Sequence, residues 1–313
     1  MAEKVILIAD PGIDTAFALA LALLDERLDV LALTATAGNV SAFQATVNIH
    51  TVVGQIDPPR WPRLGAAPAV KYDIDGTSLH GADGLGNAQF PEISLHSPPT
   101  SDRLIVDLVR ENPNEVTIVC FGPLTVVQRI LQRDPTLGGQ IKRLICLGGT
   151  RHEPGNATAA AEFHFFCDPE AARAVLRAGL PLTVIPLDVM RKLIFSPSDL
   201  LGLPAPESRV SQFLRKIVPF GIRASSNLYG IEGFHLKDVL GVAALVLPKA
   251  LTTQPVYADI ELRGELTRGA MVVDSRPRPA ARPNVDLATE VDVTAVRDYI
   301  FRTLARADDG SVG

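Results

Sequence analysis

The stretch Val5-Ile6-Leu7-Ile8-Ala9-Asp10-Pro11-Gly12-Ile13-Asp14-Thr15-Ala16 decides the fold. Val5 to Ala9 is an unbroken apolar run, the pattern of a parallel strand covered on both faces. Ala16 to Leu24 is rich in Ala and Leu and predicts an apolar helix, with Pro11 and Gly12 making the sharp turn between the two. Asp10 and Asp14 therefore sit at a strand-to-helix junction, where open α/β sheets place their chemistry. Two carboxylates there, beside the amides of a helix N-terminus, can hold a hard cation or hydrogen-bond a polyol. The plainer alternative makes Asp14 an N-cap and Asp10 a polar turn residue.

Outward from this junction the strand-then-helix alternation repeats. Val30 to Thr36 precedes Ala42 to Val53, Val116 to Phe121 precedes Leu124 to Leu131, and Leu144 to Leu147 and Leu182 to Leu187 read as further strands. Such alternation marks a doubly wound, mostly parallel sheet flanked by helices. Tyr257 to Asp274 alternates in the manner of a small late antiparallel part, and Thr294 to Arg306 reads as a closing helix followed by a fraying tail from Asp308. The strand ends carry Asp10, Gly38-Asn39, Gly122 to Thr125, Gly148-Gly149 and Asp188, which one crevice at the carboxyl edge would gather. Two segments break the pattern: the Gly-rich Lys71 to Leu95, and Arg209 to His235, helical at first and then polar from Ser225 to Gly230. Both read as mobile segments over the crevice.

Composition narrows the function classes. The chain has 313 residues, 47% of them hydrophobic, and no linker divides it, so residues 1–313 are expected to form a single domain. A net charge of -5 with scattered Lys and Arg gives no basic patch for a nucleic-acid partner, so none is expected, and no apolar stretch reaches membrane-spanning length. Cys120, Cys146 and Cys167 lie in or beside apolar runs and read as buried thiols of a reducing compartment, so a cytoplasmic location is expected.

The junction and its downstream segments resemble the inosine-uridine preferring nucleoside hydrolases, whose opening motif is Asp-x-Asp-Pro-Gly-x-Asp-Asp. The resemblance continues, in family order, through Ala37 to Val40 with Asn48, His80 to Gly86, Gly122 to Thr125, Leu147 to Gly149, Gly155-Asn156, Ala161 to Phe163, Asp168 to Ala172, Leu187-Asp188 and Lys237 to Leu240. It implies a Ca²⁺ ion held by Asp10, by the Thr125 carbonyl and by Asp238, with Thr15 at the position of a further ligand. It also implies that Asp10 is the general base, that Asp14 bonds the ribose 2′-hydroxyl, and that Asn39, Asn156 and Glu162 bind the sugar. The implied substrate is a small nucleoside or ribosyl compound, and the implied assembly a homodimer or homotetramer. The chemistry suits these residues, because N-glycosidic cleavage passes through an oxocarbenium-like sugar that nearby carboxylates stabilise.

The departures from the family pattern are as informative as the matches. Ile8 replaces an Asp, Thr15 an Asp, Val126 an Asn, His164 an Asn, Met190 a Thr and Lys237 a His. A hydroxyl at Thr15 still coordinates Ca²⁺, with a weaker cage than a carboxylate gives. His164 alters the sugar pocket, and Lys237 must be desolvated before it can protonate a leaving base near neutral pH. His80 and His235, one on each irregular segment, are the other candidate proton donors. The reading is a metal-dependent N-ribohydrolase; its rivals are a ribosyl-binding protein that has lost catalysis, and an aspartyl-phosphate phosphatase, a weak reading because this chain has Gly12 where such chemistry needs a second Asp.

Overall fold

The computed structural model describes residues 2–204, 208–279 and 281–308; positions 309–313 of the tail lie outside the described residues. The opening run forms strand β1 (Glu3–Ala9), followed by β2 (Leu28–Ala35), β3 (Arg63–Gly65), β4 (Thr117–Cys120), β5 (Arg143–Leu147), β6 (Leu182–Ile185), β7 (Ile194–Phe195), β8 (Phe234–His235), β9 (Leu251–Val256), β10 (Ala258–Ile260), β11 (Met271–Val273) and β12 (Val285–Val291). Eight of these make one sheet in the order β3-β2-β1-β4-β5-β6-β12-β9. Its neighbours pair in parallel except β9 with β12, and β10 with β11 makes the expected late antiparallel pair.

Alternation within β1 explains its lack of polar residues. Val5, Leu7 and Ala9 enter one core with Phe17, Leu21 and Val242, while Ile6 and Ile8 enter a second core on the opposite face with Leu104, Ile105 and Val127. Both faces are covered, so neither set can be polar. The helix Ile13–Leu24 is buried on every side from Ile13 to Ala22, packed among helices Val239–Val246, Arg209–Tyr229 and Val293–Asp308. From Ala16 onward the helix is apolar on every face, and such a helix belongs inside the molecule.

Strand order reverses between β1 and β4: β2 lies on one side of β1 and β4 on the other. Loops leave the carboxyl ends of these two strands in opposite directions and open a crevice there. Asp10 follows β1, Asn39 follows β2, Gly122 follows β4 and Gly148 follows β5, so the gathering of strand-end residues expected from the sequence is present.

Arg209 to Tyr229 is one continuous helix, so Ser225 to Tyr229 are helical rather than part of a loose segment. Ser208 caps its start by accepting from the Ser211 N–H, and Gly230, at φ 66°, ends it in the left-handed conformation. Ser and Asn depress helix propensity, but the buried face of Phe213, Ile217, Gly221 and Ser225 continues through them and prevails. Strands β9 and β12, with Thr252 to Gln254 exposed and a Pro at 255, lack the apolar run that marks a central strand.

Asp188 anchors the loop that runs from β5 toward Glu162. Its carboxylate accepts from the N–H groups of Arg151 (2.8 Å), His152 (2.7 Å) and Glu153 (3.3 Å) and from the Thr150 hydroxyl (3.1 Å). Burial alone would raise its pKa, but these donors hold it below the ordinary carboxylate value. The folded value is the lower one, so the stabilisation is complete above the unfolded pKa and disappears as pH falls through the folded one. Asp188→Ala is expected to lower unfolding free energy in urea at neutral pH by about 1–3 kcal/mol, with the difference from wild type shrinking in acid. A change within about 0.5 kcal/mol, as for an ordinary surface site, would contradict this role.

Candidate active site

At the crevice floor Asp10, Asp14, Glu162 and Asp238 are all buried, brought from three separate segments of chain. Asp10 ends β1, Asp14 lies within the first turn of the following helix, Glu162 caps helix Phe163–Cys167, and Asp238 stands before helix Val239–Val246. Asp14 is not the N-cap, a place held by Gly12 without any side-chain bond. Asp238 makes no capping bond either; its Oδ2 accepts from the Thr15 hydroxyl at 2.6 Å.

Each carboxylate is pinned on one side or left open. Asp10 Oδ2 accepts from the Asn39 N–H at 2.9 Å, while the Asn39 amide donates to the Asp10 carbonyl at 3.0 Å. A Cβ at position 38 would stand 2.0 Å from Asp10 Oδ2, so only glycine admits the loop this close. Glu162 Oε2 accepts from the N–H groups of Gly149 and Phe165, both at 3.1 Å. Asp10 Oδ1, both oxygens of Asp14, Glu162 Oε1 and Asp238 Oδ1 have no hydrogen-bond partner. Buried oxygens in that state call for a cation or for hydroxyl donors.

Two cationic side chains stand among them. Lys237 Nζ lies 3.6 Å from Asp14 Oδ2; burial pushes its ammonium down, but Asp14, Asp238, Glu162 and Asp10 hold it above the ordinary lysine value. His164 Nε2 is 3.5 Å from Asp10 Oδ2 and its Nδ1 is 3.6 Å from Glu162 Oε1 and 3.2 Å from the Leu147 carbonyl. Burial opposes its charge, yet Glu162 and Asp10 raise it to about 9. Burial and then Asp14 push Asp238 up to about 8, whereas Asp14 itself is held low, against burial, chiefly by Lys237.

His80 is not on an open lid. It ends the short helix Thr77–His80, is buried, and its Nδ1 accepts the Ile13 N–H at 3.1 Å. That bond requires a neutral ring, in keeping with burial pushing it down to about 4. Its ring supports the turn before Asp14 from below. His235 differs: half-buried at the end of β8, it lines a cavity of about 320 Å³ with Leu79, Met190, Tyr229, Phe234 and Lys237. Its Nδ1 has no partner, and burial, Arg191 and Lys237 lower its pKa.

Asn156, exposed at the mouth of the same cavity, accepts the Phe163 N–H at 2.8 Å through its side-chain oxygen. Thr125 directs its hydroxyl to Asp168 (2.5 Å) and Tyr72 (2.6 Å), so its side chain is committed to those two partners. Tyr72 had no sequence signal, being a lone aromatic in a polar segment. Asn48 supports the turn from behind, donating to the carbonyls of Pro11 and Asp83.

The donor set does not fit an open calcium cage. Calcium takes six to eight oxygens, but Thr15 bonds Asp238 Oδ2, and Lys237 and His164 already share the free carboxylates. Among the described residues no three His, Cys, Asp or Glu side chains are gathered to hold one ion. Unit charges about 4 Å apart interact by about 4 kcal/mol at an effective dielectric near 20, so an ammonium there opposes a further cation.

Comparison with known proteins matches this arrangement to one family. Residues 5–298 match the model of the inosine-uridine preferring nucleoside hydrolases. The chain is 32% identical over 309 residues to a pyrimidine-specific ribonucleoside hydrolase, RihA, of Klebsiella pneumoniae, covering 97% of this chain and 99% of that one. It is 32% identical over 310 residues to a non-specific ribonucleoside hydrolase, RihC, of Escherichia coli, covering 98% and 100%. The solved structure of a plant nucleoside hydrolase, PpNRh1, superposes with a TM-score of 0.88 at 29% identity, covering 97% and 99%. With the crevice at the strand-order reversal and carboxylates on its floor, the chain belongs to the inosine-uridine preferring nucleoside hydrolase family.

Proposed function

We propose that this enzyme hydrolyses the N-glycosidic bond of a nucleoside or a closely related ribosyl compound, giving free base and ribose. The observation that carries the reading is the set of unpartnered carboxylate oxygens next to a mostly apolar cavity, the two joined by Lys237, which lines the cavity and stands 3.6 Å from Asp14. A sugar's hydroxyls satisfy the first and a planar base fills the second.

Asp10 is suited to be the general base. Asn39 fixes one of its oxygens and leaves Oδ1 to take a proton from a water attacking the anomeric carbon. Asp14, with both oxygens unpartnered, offers two acceptors to a vicinal diol, and Lys237 beside it keeps it ionised. Glu162 and Asp10 place negative charge where the sugar becomes cationic, in a site where water no longer screens it. The leaving base lies against Phe234, Tyr229 and Met190, within reach of His235. Lys237 is held charged too firmly to be the acid, and His80 is buried with its Nδ1 taken by the Ile13 N–H, which leaves His235, on the cavity wall with a free Nδ1, to hydrogen-bond or protonate the base.

Asp10→Asn, similar in shape, is expected to lower base release by about 10² or more while leaving the far-ultraviolet spectrum and melting temperature near wild type. Activity within about tenfold of wild type would remove Asp10 from the role of base.

The leaving-group assignment has its own check. His235→Ala is expected to slow inosine or uridine cleavage by about 10² while changing nitrophenyl riboside cleavage little, because that leaving group departs without a proton. Equal losses on both substrates would mean that His235 shapes the cavity and donates nothing.

A further inference from the structure

We propose that the ammonium of Lys237, with His164 beside it, supplies within the protein the counter-charge that a divalent cation would otherwise provide, so that this pocket binds its sugar without metal. The proposal rests on reading the pocket as a sugar site and goes further, to how that site tolerates its own charge.

Position is the first argument. Lys237 Nζ stands 3.6 Å from Asp14 Oδ2, and its charge is felt by all four buried carboxylates. His164 lies between Asp10 and Glu162, at 3.5 and 3.6 Å. Lys237 thus stands beside an open oxygen of Asp14, and His164 beside the open Oε1 of Glu162 and the pinned Oδ2 of Asp10. These separations exceed an ordinary hydrogen bond, which leaves the oxygens free to receive sugar hydroxyls while their charge is already offset.

The replacements at these positions also agree in sign. Thr15 stands where the family motif has a carboxylate, His164 where it has a neutral amide, and Lys237 where it has an imidazole. One negative charge is gone, an ammonium stands beside Asp14, and an imidazole that can carry a proton stands beside Asp10 and Glu162, so all three replacements move the pocket's charge in the positive direction. Thr15 also closes Asp238 Oδ2 with a hydrogen bond of 2.6 Å, so that oxygen is committed within the protein. A pocket that had only lost its metal would hold repelling carboxylates and no compensation; this one has gained the compensation at the same place.

The test is calorimetry on the whole, chelator-treated enzyme, which needs no turnover and so stands apart from whether base release occurs. Calcium chloride titrated to about 1 mM, the weak end of protein calcium sites, is expected to give no binding heat. Ribose is expected to bind with the same affinity in chelator and in calcium. Lys237→Met is expected to weaken ribose binding in chelator by at least about tenfold, the loss of one partner of a buried charge pair, and Lys237→Arg to retain most of it. One calcium bound per chain, ribose binding abolished by chelator, or Lys237→Met binding ribose like wild type would each overturn the proposal. Should Lys237→Met not fold, the calcium titration and the Lys237→Arg arm decide. Intact metal-free ribose binding with no base release from any nucleoside would leave this proposal standing and sink the hydrolase reading.

Discussion

Mutual repulsion among Asp10, Asp14, Glu162 and Asp238, all within one water-excluded crevice, is the constraint on which the site depends. Uncompensated, such a cluster would protonate or unfold the segments that carry it. The chain meets it with several devices at once. Backbone N–H groups of Asn39, Gly149 and Phe165 pin individual oxygens, Thr15 donates to Asp238, and Lys237 and His164 bring positive charge. Asp238, pushed up to about 8, can hold a proton near neutral pH and remove one further charge. What remains open, chiefly Asp14 and one oxygen of Asp10, is what a sugar and a water can use.

The fold makes this concentration of charge possible. Parallel strands place their carboxyl ends on one edge, and the reversal of strand order between β1 and β4 opens that edge into a crevice. Close backbone approach then matters more than side-chain size. Gly38 admits the Asn39 N–H to Asp10, and the His80 ring packs against the turn at Gly12, where a Cβ would come within 2.8 Å of it. The buried helix Ile13–Leu24 gives Asp14 and Thr15 a rigid mount, since it is packed on every side.

Much of this was legible in the residues. The apolar run Val5 to Ala9 and its Pro-Gly turn gave β1 and the helix after it, because both faces of a central strand must be apolar. The ordered downstream motifs located Asn39, Glu162 and Asp238 on the same edge. What stayed hidden depends on tertiary placement. His80 reads as a loop histidine until its ring is seen under the Ile13 N–H, and the polar end of helix Arg209–Tyr229 reads as a loop because only packing makes it helical. Thr15 and Lys237, separate oddities along the chain, become parts of one charge arrangement only when Asp238 and Asp14 are seen between them.

The most direct measurement is a crystal structure of the enzyme grown with ribose and calcium, with anomalous data to identify any metal. Ribose hydroxyls are expected on both oxygens of Asp14, with Lys237 Nζ and His164 Nε2 retained beside the carboxylates and no anomalous peak among them. A calcium ion bridging Asp10 and Asp238, with Lys237 displaced from Asp14, would contradict that expectation.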